Sequence, residues 1–381
     1  MLSNTQKKAI ETQKQGFFYM YPHPVEWDLD HSIIVVSAKS SRRWWVFGFM
    51  LILNVILTFG CFYVPLTHLL LSKRPGYNIF LVGIYLAAGI LTMDAVIFSY
   101  NAYKHRSIIE CINQFVAMKR RLSIAFHRVR RDLFWDIVLF PCVLTTCVIP
   151  IIGVFIVPVI RLDAYYYIFN DIFGIPTITT YFVRVFLLIG CLETGRTLGL
   201  LALSAYAGAD AIVVCLTTFT GFNLRKKLKL YNEMCVLWTL GKEAVRWYAA
   251  VGLSDIFSGS VVVYWIIIKG FHHLPLIMHF GTISCGIVAV FVTLLTMDVC
   301  TKVADYSNKL TRKCYMAAML FHSHTMTSNK ARKETKIQVM QARALRPIKI
   351  PYGDFLEIER QFCCEVSYNL VNWLLNALLL F

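Results

Sequence analysis

The sequence predicts an all-α integral membrane protein of seven transmembrane helices. Its N-terminus is expected in the cytoplasm and its C-terminus outside, with helices extended into a cytoplasmic anchor layer. Three observations carry this reading. The 381 residues are 57% hydrophobic and only 16% charged, the balance of a chain built for lipid. The apolar residues gather into runs of about 20, enough to cross a hydrocarbon core about 30 Å thick. Finally, 32 of the 38 Lys and Arg residues fall in alternate gaps between those runs. Those gaps hold 6 (Lys7 to Arg43), 8 (Lys104 to Arg131), 6 (Arg225 to Arg246) and 12 (Lys302 to Arg360). Cytoplasmic loops collect Lys and Arg, so these gaps lie inside. That orientation is the reverse of a G-protein-coupled receptor.

The net charge of +16 would suit a nucleic-acid partner. Its confinement to one side reads instead as topology and attraction to anionic lipid, and no nucleic acid is expected.

Residues 1–43 form a polar cytoplasmic arm with no apolar core ahead of a small-residue cleavage site, so no cleavable signal is expected. Residues 44–300 hold crossings one to six, with cytoplasmic helical loops at 101–132 and 220–248. The first crossing, 44–66, contains no charge, and the second, 78–100, contains Asp94. The following loop places Ile108, Ile109, Ile112, Phe115, Val116 and Leu122 at helical spacing, which predicts an amphipathic helix. The third crossing, 133–160, carries Pro141, Pro150 and Pro158 and is expected to bend. The run 177–219 is read as one long fourth helix, broken in polarity by Glu193 and Arg196. These lie three residues apart and can meet on one helical face. The fifth and sixth crossings, 247–268 and 274–299, are joined by a short turn and must form an antiparallel hairpin. Residues 301–363 are expected as cytoplasmic anchor helices, and 364–381 as a seventh, pore-forming helix.

The last helix is the most informative local feature. Glu365, Asn369, Asn372 and Asn376 are spaced by four, three and four residues, which makes one polar stripe on an otherwise apolar helix. Amides facing lipid would be costly, so the stripe must face protein or water. Two readings fit: a pore lined by one such helix per subunit, or hydrogen bonds between helices of one bundle. Asp94, Asp136, Asp210, Asp255 and Asp298 sit within or beside apolar runs, mostly near inner ends, where they are read as helix caps or partners of loop lysines. Tyr85, Phe182, Trp265, His279 and Phe280 fall in the outer halves of the crossings and are candidates to line an outward cavity for a small organic ligand. Aromatic belting at the interface accounts for such residues without a ligand. There is no Walker loop, GxSxG elbow or HExxH, so neither an enzyme nor a cofactor is expected. His322-Ser-His324 reads as an exposed loop pair rather than a metal site.

With these features in place, the chain resembles the arthropod gustatory and odorant receptor superfamily. The family's last helix carries Thr-Tyr followed, after five mostly apolar residues, by Gln-Phe. Here Ser367-Tyr368 matches the first part, while Leu374 and Leu375 stand in place of the second. Ser307 to Leu310, then Arg346-Pro-Ile-Lys-Ile and Gly353-Asp-Phe, resemble the family's approach to that helix, and Asp210 with Asn223-Leu-Arg-Lys-Lys-Leu resembles its exit from the fourth. On similarity the gustatory branch is favoured. The resemblance implies a homo- or heterotetrameric, ligand-gated, non-selective cation channel in the plasma membrane of chemosensory neurons, sometimes with a co-receptor. It also implies a pore lined by the last helix, with Asn372 or Asn376 standing in for the absent Gln-Phe. A G-protein-coupled receptor is the alternative, but the third helix lacks Asp-Arg-Tyr and the seventh lacks Asn-Pro-x-x-Tyr. A transporter, the other alternative, would need paired intramembrane charges or an inverted repeat, and the sequence offers no repeat.

Overall fold

The computed structural model describes residues 2–38, 40–70, 79–104, 106–125, 133–175, 177–270, 276–324, 329–352 and 356–380. The chain is mostly helical. In order, it contains α1 (Asn4–Gly16), a hairpin of β1 (Val25–Asp28) and β2 (Ile33–Val36), then α2 (Arg42–Leu70), α3 (Ile79–Lys104), α4 (Ser107–Ala125) and α5 (Leu133–Phe155). There follow α6 (Ala164–Ile168), a π-helical turn, α7 (Thr177–Leu188), α8 (Gly190–Phe219), α9 (Leu224–Lys269), α10 (Leu276–His324) and α11 (Asn329–Ala344). A two-residue hairpin, β3 (Pro351–Tyr352) and β4 (Leu356–Glu357), leads into α12 (Arg360–Leu380).

Five stretches among the described helices are long and apolar enough to cross a membrane: Arg42–Thr67, Val82–Tyr100, Thr180–Phe219, Ala249–Lys269 and His279–Ser323. Large apolar side chains on them, such as Phe49, Ile52, Phe59 and Ile287, are exposed. Exposed apolar surface on that scale marks contact with lipid or other protein. The chain is a membrane protein.

The helices α9 and α10 are 46 and 49 residues long. At 1.5 Å per residue each reaches about 70 Å, more than twice a hydrocarbon core of about 30 Å. They run antiparallel: Tyr264 donates to the Gly286 carbonyl at 3.2 Å near one end, and Tyr231 meets Ser307 at 2.7 Å near the other. The basic first half of α9 therefore projects beyond that helix's apolar stretch, Ala249–Lys269, alongside the second half of α10. The largest buried cluster sits in that projection, joining Phe115 of α4, Leu216 and Phe219 of α8, Met234 of α9, Leu310 of α10, and Ile348 and Ile358 from the strands' flanks. The amphipathic spacing of α4 is what fills its side of this cluster.

Two expected boundaries change. The fourth run is two helices in line, α7 and α8, interrupted at Ile189, where the backbone tightens to three-residue bonds (Ile189 N–H to Phe186, 3.2 Å; Leu192 N–H to Ile189, 3.0 Å). The third run ends as a helix at Phe155, and the chain turns through Pro158 and Arg161, whose φ of 57° lies in the left-handed region. The turn expected between α9 and α10 lies largely outside the described residues.

Candidate functional site

The helix α12 packs along α9, where Trp373 meets Phe257 edge-on at 6.0 Å, and its half-buried Phe362, Val366, Leu370, Leu374 and Leu378 share one face. None of its described side chains is buried. Glu365, Asn369 and Asn376 are exposed and Asn372 is half-buried, so the polar stripe lies off the packed face. Gln361 donates to Glu365 at 3.0 Å, one turn along the same helix. The motif residues Ser367 and Tyr368 are exposed as well. Exposed beside them, Val371, Leu375 and Leu379 give the helix a second uncovered face, which is apolar.

The approach to α12 is firmly held. Lys349 Nζ bridges Glu357 at 2.7 Å and Glu359 at 2.5 Å across the β3–β4 hairpin. Hydrogen bonds from Lys349 to Glu357 and Glu359 raise the lysine's pKa. Tyr352 of β3 bonds Ser254 of α9 at 2.7 Å and packs on Phe362 of α12. Burial raises the Tyr231 phenol in the core beneath.

Of the outer aromatic candidates, the structure brings two together. Tyr85 and Trp265 share one buried cluster with Phe80 and Val64. The Tyr85 hydroxyl donates to the Leu162 carbonyl at 2.6 Å, and Trp265 stacks on Phe80 at 5.0 Å. His279 is buried on α10. Phe182 and Phe280 are 79% and 61% exposed and lie outside this cluster among the described residues. Helical phase explains both. Thr180 and Arg184, four apart, mark the buried face of α7, and Phe182 points to the opposite side. On α10 the buried face runs through His279, Thr282 and Gly286, leaving Phe280 and Ile287 outward.

Two of the acids read from the sequence meet local cations. Asp210 lies 2.5 Å from Lys119 of α4 and accepts from Gln6 of α1 at 3.2 Å, and Asp298 lies 2.7 Å from Lys302. The side chains of Asp136 and Asp255 lie outside the described residues.

Glu193 and Arg196 meet at 2.7 Å, both buried. What the sequence did not reveal is their third partner, the N-terminal arm. The Tyr21 hydroxyl donates to Glu193 at 3.2 Å and the His23 ring lies 3.4 Å from the same oxygen. Arg196 in turn donates to the Tyr21 carbonyl at 2.8 Å and lies over its ring. Burial, then the charge of Glu193, pushes the Tyr21 phenol up. Gln13 of α1 donates to the Arg196 carbonyl at 2.9 Å, an approach possible because Gly199 has no Cβ: one there would stand 2.7 Å from the Gln13 amide nitrogen. Signals for this arm were present. Ser3 and Gln6 form a capping box, and Val25 and Trp27 alternate inward against Glu26 and Asp28.

With this geometry described, the chain can be set beside known structures. It matches the insect olfactory receptor OR5 from Machilis hrabei with a TM-score of 0.61, over 98% of this chain and 97% of that one, at 11% sequence identity. The fold is that of an insect olfactory receptor. The same receptor in complex with eugenol matches at a TM-score of 0.60, over 99% and 98% of the two chains, at 12% identity. No protein-family model matches the chain, and no curated protein matches it by sequence. The likeness is therefore carried by architecture from end to end.

Proposed function

We propose that the chain is a chemosensory receptor that works as a ligand-gated, non-selective cation channel opened by small organic molecules. In this reading it crosses the plasma membrane of chemosensory neurons seven times, through α2, α3, α5, α7–α8, α9, α10 and α12. Its N-terminus is inside, and α9–α11 project into the cytoplasm. It assembles as a homo- or heterotetramer, with or without a co-receptor, around an axis lined by α12. General sequence likeness favours the gustatory branch, and the eugenol-bound neighbour supports a small organic ligand.

The observation that carries the reading is α12. A spanning helix with exposed amides needs water or protein against them, and the described residues of one subunit leave Glu365, Asn369 and Asn376 uncovered. Copies of the helix around an axis would turn the stripe toward a water-filled path, where amide rings replace part of a cation's hydration shell. Val371, Leu375 and Leu379 would then meet neighbouring subunits. The overall fold and the long projecting helices support the same arrangement.

The test is whole-cell recording from cells expressing the chain, alone and with a partner receptor, while a panel of small phenols, alcohols and sugars is applied. The reading predicts ligand-evoked currents carried by Na⁺ and K⁺ alike. Surface expression with no current to any partner combination, or saturable flux without unitary conductance, would contradict it.

A further inference from the structure

The N-terminal arm is polar along α1 but not at the turn that follows it. Asn4, Lys8, Glu11, Lys14 and Gln15 are exposed on α1, whereas the turn reads Phe17-Phe18-Tyr19-Met20-Tyr21. Phe17 is buried, but Phe18 is 82% exposed and Tyr19 48%. Two aromatic side chains held outward at the apex of a turn call for an apolar surround. Their neighbours fix where that apex stands relative to the bilayer.

The helix α2 supplies the ruler. Arg42 and Arg43 are exposed at its start, and no Lys, Arg, Asp or Glu follows within it. Trp45, Phe49, Ile52, Ile56 and Phe59 are all exposed, at spacings of four, three, four and three residues, which makes one lipid-facing stripe. The stripe begins just after the two arginines, with Trp45 where the headgroup boundary is expected. The arm meets the bundle beyond that boundary. The His23 ring packs edge-on against Phe47 at 5.1 Å, and Tyr21 reaches Glu193 on α8. One residue on, Thr194 donates to Asn54 of α2 at 2.8 Å. Along the axis of α2, Phe47 is about 6 Å and Asn54 about 16 Å past Arg43, at 1.5 Å per residue. A hydrocarbon core about 30 Å thick puts the apex within its nearer half. A second route agrees: Gly16 abuts Cys147 of α5, and the neighbouring Thr146 abuts Gly195 of α8.

We propose that the arm is re-entrant: its apex enters the membrane leaflet on the Arg42 side, where Phe18 and Tyr19 lie among lipid acyl chains. The helix α1 then rises from water with its polar face outward, the chain turns within the leaflet, and it returns through the β1–β2 hairpin to Arg42. The inner side of the turn, Tyr21 and His23, caps Glu193 and Arg196, so the apex screens a charged pair from lipid. Charges in hydrocarbon are costly, and these two side chains are held to 1% and 7% exposure. The partner of this surface is the bilayer, met through acyl chains rather than headgroups. The proposal rests on α2 crossing the membrane and not on ion conduction.

Trifluoromethyl-phenylalanine is placed at Phe18, at Phe59 or at Asn4 of the full-length protein in phosphatidylcholine nanodiscs. Fluorine NMR then compares relaxation by dissolved oxygen, which favours hydrocarbon, with relaxation by a nickel chelate, which stays in water. The oxygen-to-nickel ratio at Phe18 is expected to match that at Phe59 to within about twofold and to exceed that at Asn4 by about fivefold or more. An unchanged thermal midpoint confirms that each labelled protein is folded, and Tyr19 carries the probe if the Phe18 version does not fold. A water-like ratio at Phe18 beside a lipid-like one at Phe59 would overturn the proposal, and so would protection of Phe18 from both reagents, the sign of a protein neighbour. Water-like ratios at Phe18 and Phe59 alike would overturn it together with the reading of α2 as a crossing.

Discussion

The Tyr231 hydroxyl and Ser307 Oγ stand 2.7 Å apart in the middle of a relay that joins three segments of the chain. The Ile348 N–H donates to Ser307 at 2.6 Å, and Tyr231 donates to the Arg346 carbonyl at 2.8 Å, so Ser307 must donate to Tyr231. This closes α9 and α10 onto the linker that enters α12. Both residues are fully buried.

Tyr231→Phe keeps the ring and removes the hydroxyl, leaving Ser307 and the Arg346 carbonyl short of a partner in a dry core. The expected cost is about 1–3 kcal/mol. Thermal unfolding of the purified protein should show a lower midpoint, and ligand dose-response should shift because the linker to α12 loosens. An unchanged midpoint would remove the relay from the list of contacts that hold the linker.

Glu193 and Arg196 form a second such joint. Removing one member of a buried ion pair strands the other, at about 3–5 kcal/mol. Glu193→Gln and Arg196→Gln should therefore each lower stability strongly, with the double variant less damaged than the two losses added together. Additive losses in that double-mutant cycle would mean that the two charges do not support each other.

The contrast between these two joints shows what a single sequence can carry. The Glu193–Arg196 pair was legible because three residues on a helix place two side chains on one face. The stripe on α12 was legible for the same reason. Tyr21 and His23 were not, because their partner is about 170 residues away and only the folded arm brings them there. Which outer aromatics are buried was not legible: Tyr85 and Trp265 turn inward and Phe182 and Phe280 outward, and that depends on which face each helix packs. Long helices were visible from hydropathy, whereas the one-residue break at Ile189 and the early end at Phe155 rest on local backbone geometry that the apolar pattern does not encode.

Gly195 sets how closely α8 approaches α5. A Cβ at that position would stand 2.3 Å from Pro150 Cγ and 2.5 Å from the Thr146 carbonyl oxygen, and the second of these is backbone that cannot rotate away. Gly195→Ala should destabilise by about 1–3 kcal/mol through forced separation of the two helices. Gly252→Ala is the control, since a Cβ there meets nothing within 4 Å. Equal midpoints for the two variants would contradict the packing argument.

Single-channel recording of Asn372→Leu and Asn376→Leu tests the central claim most directly. If α12 lines the ion path, ligand-evoked openings persist in at least one variant while unitary conductance or the Na⁺-to-K⁺ permeability ratio changes. If both variants reach the cell surface and conduct as the parent chain does, with the same conductance and the same permeability ratio, α12 does not form the pore.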